Sequence, residues 1–165
     1  MNSFGKLLIL LLMIVTGCSH NRVQPEPETE LFLTIIAGCN LNSGSGPGND
    51  QNAAPLQLRL YELQSIEPFA NADFLDIYLQ DSATLPSSLV KKHRLPTIWP
   101  DTNNQLTLQV DRTARFIAIF AEFANYPSAV WSAVESIVPG TRNRMMLQIN
   151  DNHLRLSVEP ALLEK

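Results

Sequence analysis

Pro55-Leu56-Gln57-Leu58-Arg59-Leu60-Tyr61-Glu62-Leu63 is the stretch on which the fold turns. Leu56, Leu58 and Leu60 alternate with Gln57, Arg59 and Tyr61, a period of two that puts the leucines on one face of a half-buried strand. The alternation returns at Leu106, Leu108 and Val110, with Thr107 and Gln109 between them. Upstream, Leu31 to Gly38 is apolar with only Thr34 as a polar break, which reads as a strand buried on one face or on both. Arg115 to Phe123, carrying Phe116, Ile117, Ile119 and Phe120, is a further strand. Within it Glu122 fits solvent on an alternating pattern as well as it fits the interior. Met145 to Ile149 and Leu154 to Val158 read as a hairpin around Asn150-Asp151-Asn152, residues that tolerate left-handed backbone at low cost.

Between Pro68 and Gln80 the spacing changes. Phe69, Ala72, Phe74, Ile77 and Tyr78 fit a helical stripe, and Pro68 is acceptable in a first turn, so one amphipathic helix is expected there. Asp76 and Asp81 then fall on its wet face, with Asp73 a buried cap or hydrogen-bond acceptor. Leu85 to Val90 fits a short helix or a turn, and His93 to Trp99 is extended with an interruption at Pro96. Asn125 to Ser128 is turn chemistry, and Ala129 to Glu135 fits one or two helical turns. Seven or eight short strands with one clear helical insertion and no βαβ rhythm predict a mainly β fold, a two-sheet antiparallel β-sandwich with one or more short helical insertions.

The chain opens differently. Lys6 precedes the apolar run Leu7 to Val15, then Thr16 and Gly17 lead to Cys18. This is a positive region, a short apolar core and a small-residue cleavage zone, the pattern of a signal peptide over residues 1–17. Nine apolar residues rise only about 13 Å as a helix, against roughly 30 Å of hydrocarbon, so the run is too short to span a bilayer. Val15-Thr16-Gly17-Cys18 resembles the bacterial lipobox, in which the cysteine thiol receives a diacylglycerol before cleavage in front of it. That resemblance implies a covalent lipid on Cys18, with no other cofactor, and Ser19 in place of an Asp implies sorting to the outer membrane. Residues 18–30 carry Pro25, Pro27 and charges with almost no large apolar side chain, which suits a tether, and residues 31–160 form a single domain.

Removal of residues 1–17 leaves 148 of the 165 residues, enough for one domain with its own core. Twelve Lys and Arg stand against 16 Asp and Glu, for a formal charge of −4, and no basic cluster exceeds Lys91, Lys92, His93 and Arg94, so nothing favours nucleic acid. With Cys18 taken by lipid, Cys39 has no partner in the chain, and its place after an apolar run predicts a buried free thiol. The three histidines are His20 in the tether, His93 and His153. None lies in HExxH or in a zinc-type spacing, and GxSxG, Walker and GxGxxG motifs are absent from the sequence. His93 and His153 are expected on solvated strand positions, and the chain is read as a non-enzyme with no metal site.

The order of features resembles the type VI secretion outer-membrane lipoprotein family, TssJ, also called SciN or VasD. The resemblance rests on the lipobox, the apolar first strand, the polar loop, Arg59-Leu60-Tyr61-Glu62-Leu63, then Phe69-Ala70-Asn71-Ala72-Asp73-Phe74 with Ile77-Tyr78. It continues through Ala118-Ile119-Phe120-Ala121-Glu122-Phe123, Trp131 and Leu154-Arg155-Leu156, nearly the whole mature chain. Two positions depart from the family: Ala124 and Ser132 stand where members tend to carry Arg after the Phe and the Trp. The resemblance implies a transthyretin-like sandwich, tethered to the periplasmic face of the outer membrane. It implies as partner the periplasmic C-terminal domain of the inner-membrane protein TssM, in a complex that includes TssL. It also implicates the loop after the first strand in partner contact, here Asn40, Leu41, Asn42, Ser43, Gly44, Ser45, Gly46, Pro47, Gly48, Asn49 and Asp50. On composition alone that Asn/Ser/Gly-rich segment reads more readily as a tolerated insertion, and it is the resemblance that raises partner contact to near parity. Rival readings are a generic assembly or pilotin lipoprotein and a small-ligand carrier with a pocket near His93 or His153.

Overall fold

A computed structural model of the chain describes residues 27–44 and 52–159. The expected signal peptide, Cys18, the first part of the expected tether and loop residues 45–51 lie outside them, as does everything after Glu159. The described elements run β1 (Thr29–Ala37), β2 (Leu58–Leu63), α1 (Glu67–Ala70), α2 (Phe74–Thr84), β3 (Leu89–Arg94), β4 (Thr102–Val110), β5 (Phe116–Ala121), a 3-10 turn (Tyr126–Ser128), β6 (Ser132–Ser136), β7 (Arg142–Asn150) and β8 (His153–Val158). The strands form two four-stranded sheets, β4-β1-β7-β8 and β3-β2-β5-β6. The fold is the mainly β, two-sheet sandwich with short helical insertions that the alternating strands predict.

Alternation builds the core. Leu31, Leu33, Ile35 and Ala37 of β1 point inward and are buried, while Phe32, Thr34 and Ile36 are half-covered on the outer face, so one face of β1 is fully buried and not both. They meet Leu58 and Leu60 of β2, Ile117 and Ile119 of β5, and Met145, Leu147 and Ile149 of β7. The β7–β8 hairpin forms as expected, with Asp151 at φ 56 in its turn. One pairing is not antiparallel: β1 runs parallel to β7, Leu33 opposite Met145 and Ile35 opposite Leu147. Local turn chemistry specifies hairpins between neighbours in sequence, and this contact joins strands near opposite ends of the chain, beyond the reach of any local signal.

The helical region departs from the single helix expected. Asn71 caps α1, its N–H bonding Glu67 O while the Ala72 N–H bonds Phe69 O, and Asp73 is extended at φ −77, ψ 158, so the chain breaks before α2. Asp73 is exposed and its side chain makes no capping bond, contrary to a buried cap; its carbonyl instead accepts from the Asp76 and Ile77 N–H groups. Ala129 to Glu135 holds no helical turn. Ser132 to Ser136 pair with β5 as edge strand β6, because Val134 packs on the helix side while Ala133 packs on the sandwich side, a period of two hidden in a run too short to display it. Leu85 to Val90 is a turn over residues 85–88 that follows the helix end at Thr84, and then the start of β3 at Leu89. Among the described residues no helix is long and apolar enough to cross a membrane.

Candidate functional site

Two groups of polar side chains stand out, and the first serves architecture. Along α2, Phe74, Ile77 and Asp81 share the buried stripe, which puts Asp81 against the outer face of the second sheet and not on the wet face expected. Asp81 Oδ2 accepts from the Tyr61 hydroxyl at 2.9 Å, from Arg59 Nη1 at 3.2 Å and from Lys92 Nζ at 2.9 Å. Arg59 also donates through Nε to Glu122 Oε1 at 2.7 Å and through its fork to the carbonyls of Ile77 and Tyr78. Those carbonyls lie beside a break at Gln80 (φ −147, ψ 43), where helical bonding is interrupted and an outside donor is needed. Arg59 therefore closes the helix break and docks α2 on β2 in one stroke. Its guanidinium also lies 5.4 Å from the centroids of Phe120 and Tyr78.

Burial would raise the Asp81 carboxyl, but hydrogen bonds from Lys92 and Tyr61 and the Lys92 charge outweigh it and hold the group below its ordinary value. Burial, reinforced by acceptance at Asp81, pushes the Tyr61 hydroxyl well above the usual tyrosine range. Around this knot Phe74 stacks on Tyr126 at 4.2 Å and meets Trp131 edge-on at 5.6 Å. The open groove beside it, about 620 Å³, is lined by the already paired Arg59, Asp81, Lys92 and Glu122 together with Tyr78, Leu79 and Arg94. His93 is not solvated as expected: its Nε2 lies 2.6 Å from Oε1 of Glu62, whose side chain is fully buried and also accepts the Asp111 N–H at 2.8 Å. His153 is exposed as expected. Among the described residues no group of three His, Cys, Asp or Glu is placed to hold a metal ion.

The second group lies at the end of the sandwich where β1 finishes and the polar loop begins. Leu41 is fully buried in the core, and Asn42, at φ 52, is buried as well, so these two residues of the expected contact loop serve the fold. The Asn42 N–H donates to Asp151 O at 2.9 Å, its amide donates to Pro55 O at 3.2 Å, and its Oδ1 accepts the Ala124 N–H at 3.2 Å. Ser43 Oγ donates to Asp151 Oδ1, and Asn152 Nδ2 to Ser43 O at 3.3 Å. The loop base is thereby tied to the β7–β8 turn, to the segment after β5 and to the entry of β2. Asn40, Ser43 and Gly44 remain at the surface or partly so, and Ser45 to Asp50 lie outside the described residues.

Cys39 is exposed at this same end, with Sγ donating to Asn40 Oδ1 at 3.0 Å; the expectation of a buried thiol fails because the alternation of β1 ends at Gly38. A Cβ on Gly38 would lie 2.6 Å from Asn150 Oδ1, so the chain turns where only glycine fits without a shift. Trp99, 60% exposed, stands next to the loop base, since the Asp101 N–H donates to Gly38 O at 3.2 Å. The sequence reading passed over Trp99; a tryptophan followed by proline between two strands was the available signal.

A family model for type VI secretion lipoproteins, T6SS-SciN, which covers VasD, EvfM and TssJ, matches residues 29–157. Among solved structures the chain is similar to the type VI secretion lipoprotein TssJ1 from Pseudomonas aeruginosa, with TM-score 0.74 and 24% identity over 82% of this chain and 100% of that one. It is similar to Serratia marcescens Lip, a membrane-bound component of the type VI secretion system, with TM-score 0.67 and 21% identity over 78% and 96%. It also matches a chain in a structure described as the TssM C-terminal domain (869–1107) from EAEC, with TM-score 0.57 and 18% identity over 80% and 98%. No curated protein matches the chain. The match of the family model from β1 to β8, on a sandwich whose Arg59 and Tyr61 lock the helix to the sheet, places this chain in the type VI secretion lipoprotein family.

Proposed function

We propose that this chain is lipidated at Cys18, sits on the periplasmic face of the outer membrane, and binds the periplasmic C-terminal domain of TssM in a complex that includes TssL. The observation that carries the reading is the course of β1. It leaves the tether at Thr29 and reaches the loop end after nine residues, about 30 Å at strand rise. A domain held by lipid at one end thus presents the loop base, Trp99 and the β7–β8 turn at the other, toward a partner rising from the inner membrane. The chain similar in fold within a TssM C-terminal domain structure supports the choice of partner.

The chemistry required is modest. Each buried methylene contributes about 0.8 kcal/mol, so one acyl chain holds marginally and two or three hold durably. Confinement to one surface raises the effective concentration of partner without a new contact. The role is to fasten a secretion machine to the envelope, and the tightly paired charges beside α2 keep the domain rigid under that load. Cys18→Ser tests the reading: the folded domain should move from the membrane to the soluble periplasmic fraction and effector secretion should fail. Normal secretion by a fully soluble Cys18→Ser protein would refute it.

A further inference from the structure

The open side of the sandwich exposes two sheet edges that are treated differently. On the second sheet the edge strand is β3, six residues with Lys91, Lys92 and Arg94 and a register irregularity opposite Glu62 and Leu63. Charges and a bulge are the usual means of keeping another strand away. On the first sheet the edge strand is β4, nine residues long, Thr102-Asn103-Asn104-Gln105-Leu106-Thr107-Leu108-Gln109-Val110. It has no ionisable side chain, no proline and no bulge in its pairing with β1, and its remaining edge pairs with no strand among the described residues.

We propose that β4 is a docking edge for β4 of a second copy of this chain, joined antiparallel about a two-fold axis at Thr107. In that register Leu106 lies opposite Leu108 of the second copy, Thr107 opposite Thr107, and Gln105 opposite Gln109. Leu106 and Leu108, half-covered and packed at the margin of the core, gain apolar neighbours on the inner face, while Gln and Thr pair on the outer face. A one-residue slip would set Leu106 against Thr107 and Leu108 against Gln105, apolar against polar, so the pattern disfavours it. Charge selects which of the two edges can meet its own copy. The neutral strand meets its own copy without repulsion, whereas the same operation on β3 would bring Lys91, Lys92 and Arg94 together. The contact is isologous and closes at two copies. Its small area makes it a weak contact, below the size of a stable interface.

The test is oxidative cross-linking of the full chain in intact cells, with Cys39→Ser removing the exposed thiol. Thr107→Cys, at the axis, should give a disulfide-linked dimer, and Lys92→Cys on the other edge should not. Adding Gln105→Lys and Gln109→Lys to Thr107→Cys sets two like-charge pairs directly across the interface and should lower the dimer yield about fivefold. Co-expressing that variant with one carrying Gln105→Glu and Gln109→Glu beside Thr107→Cys should restore it. Absence of dimer, an equal yield from Lys92→Cys, indifference to the lysines, or capture of a different protein by Thr107→Cys would each overturn the proposal.

Discussion

On the outer face of the second sheet the charges beside α2 share partners: Asp81 takes Tyr61, Arg59 and Lys92, and Arg59 takes Glu122 and two helix carbonyls. At the loop end the hydrogen bonds among the described residues gather at the base, around Asn42, Ser43 and Asp151, with the exposed Trp99 beside them. The first region is expensive to disturb and is saturated. The second is tied to the fold at its base and carries an exposed aromatic ring beside it. The most family-specific sequence here, Arg59-Leu60-Tyr61-Glu62-Leu63, therefore belongs to architecture, while the proposed binding function falls on a segment whose composition carries almost no pattern.

Breaking the saturated region should have the largest effect. Asp81→Ala leaves Arg59, Tyr61 and Lys92 facing each other without their common acceptor, and should cost about 3 kcal/mol of stability in urea unfolding. The loss is set by the buried side, since the Asp81 side chain is only 8% exposed while Lys92 is 42% exposed and contributes little. A variant within 0.5 kcal/mol of the parent would mean that the knot decorates the helix and does not hold it.

Acid should sharpen the contrast with a smaller effect. The carboxyl of Asp81 is held below its ordinary value in the folded state, so its stabilisation is present above the unfolded value of about 3.9 and is lost as pH falls through the folded value. Asp111 is shifted the same way by hydrogen bonds from Thr113, and adds to the loss in the same window. Stability measured from pH 6 to pH 2 should fall less steeply in Asp81→Asn than in the parent. Parallel curves would remove Asp81 from the acid response.

At the loop end the smallest structural effect should accompany a binding effect. Trp99→Ala should change stability by less than about 0.5 kcal/mol, because the ring is mostly in solvent. It should weaken association with the TssM C-terminal domain about tenfold, the loss typical of an aromatic anchor. Unchanged binding would restrict the contact to the loop itself.

The sandwich was legible because Leu56, Leu58 and Leu60, and again Leu106, Leu108 and Val110, display the period of two directly. What escaped depended on distance or on a break. The parallel β1–β7 pairing has no local signature. The division of the helix at Asn71 to Asp73 hides inside an apolar stripe that runs on unchanged. Asp81 was legible after all, four residues beyond Ile77 and seven beyond Phe74, but polarity was allowed to outweigh position. His93 and Glu62 found each other across two strands, a pairing that needs the sheet register of Leu60 opposite His93 to be known first. At the loop end, composition marked the segment but could not separate Leu41 and Asn42, which the fold consumes, from the residues outside them.

The most direct test is the affinity of the TssM periplasmic C-terminal domain for the full-length chain and for the same chain lacking Gly44 to Asn49. The account predicts binding by the first and a loss of at least about tenfold in the second, with unfolding stability unchanged. Equal affinity of the two, or no binding by the intact chain, would contradict it.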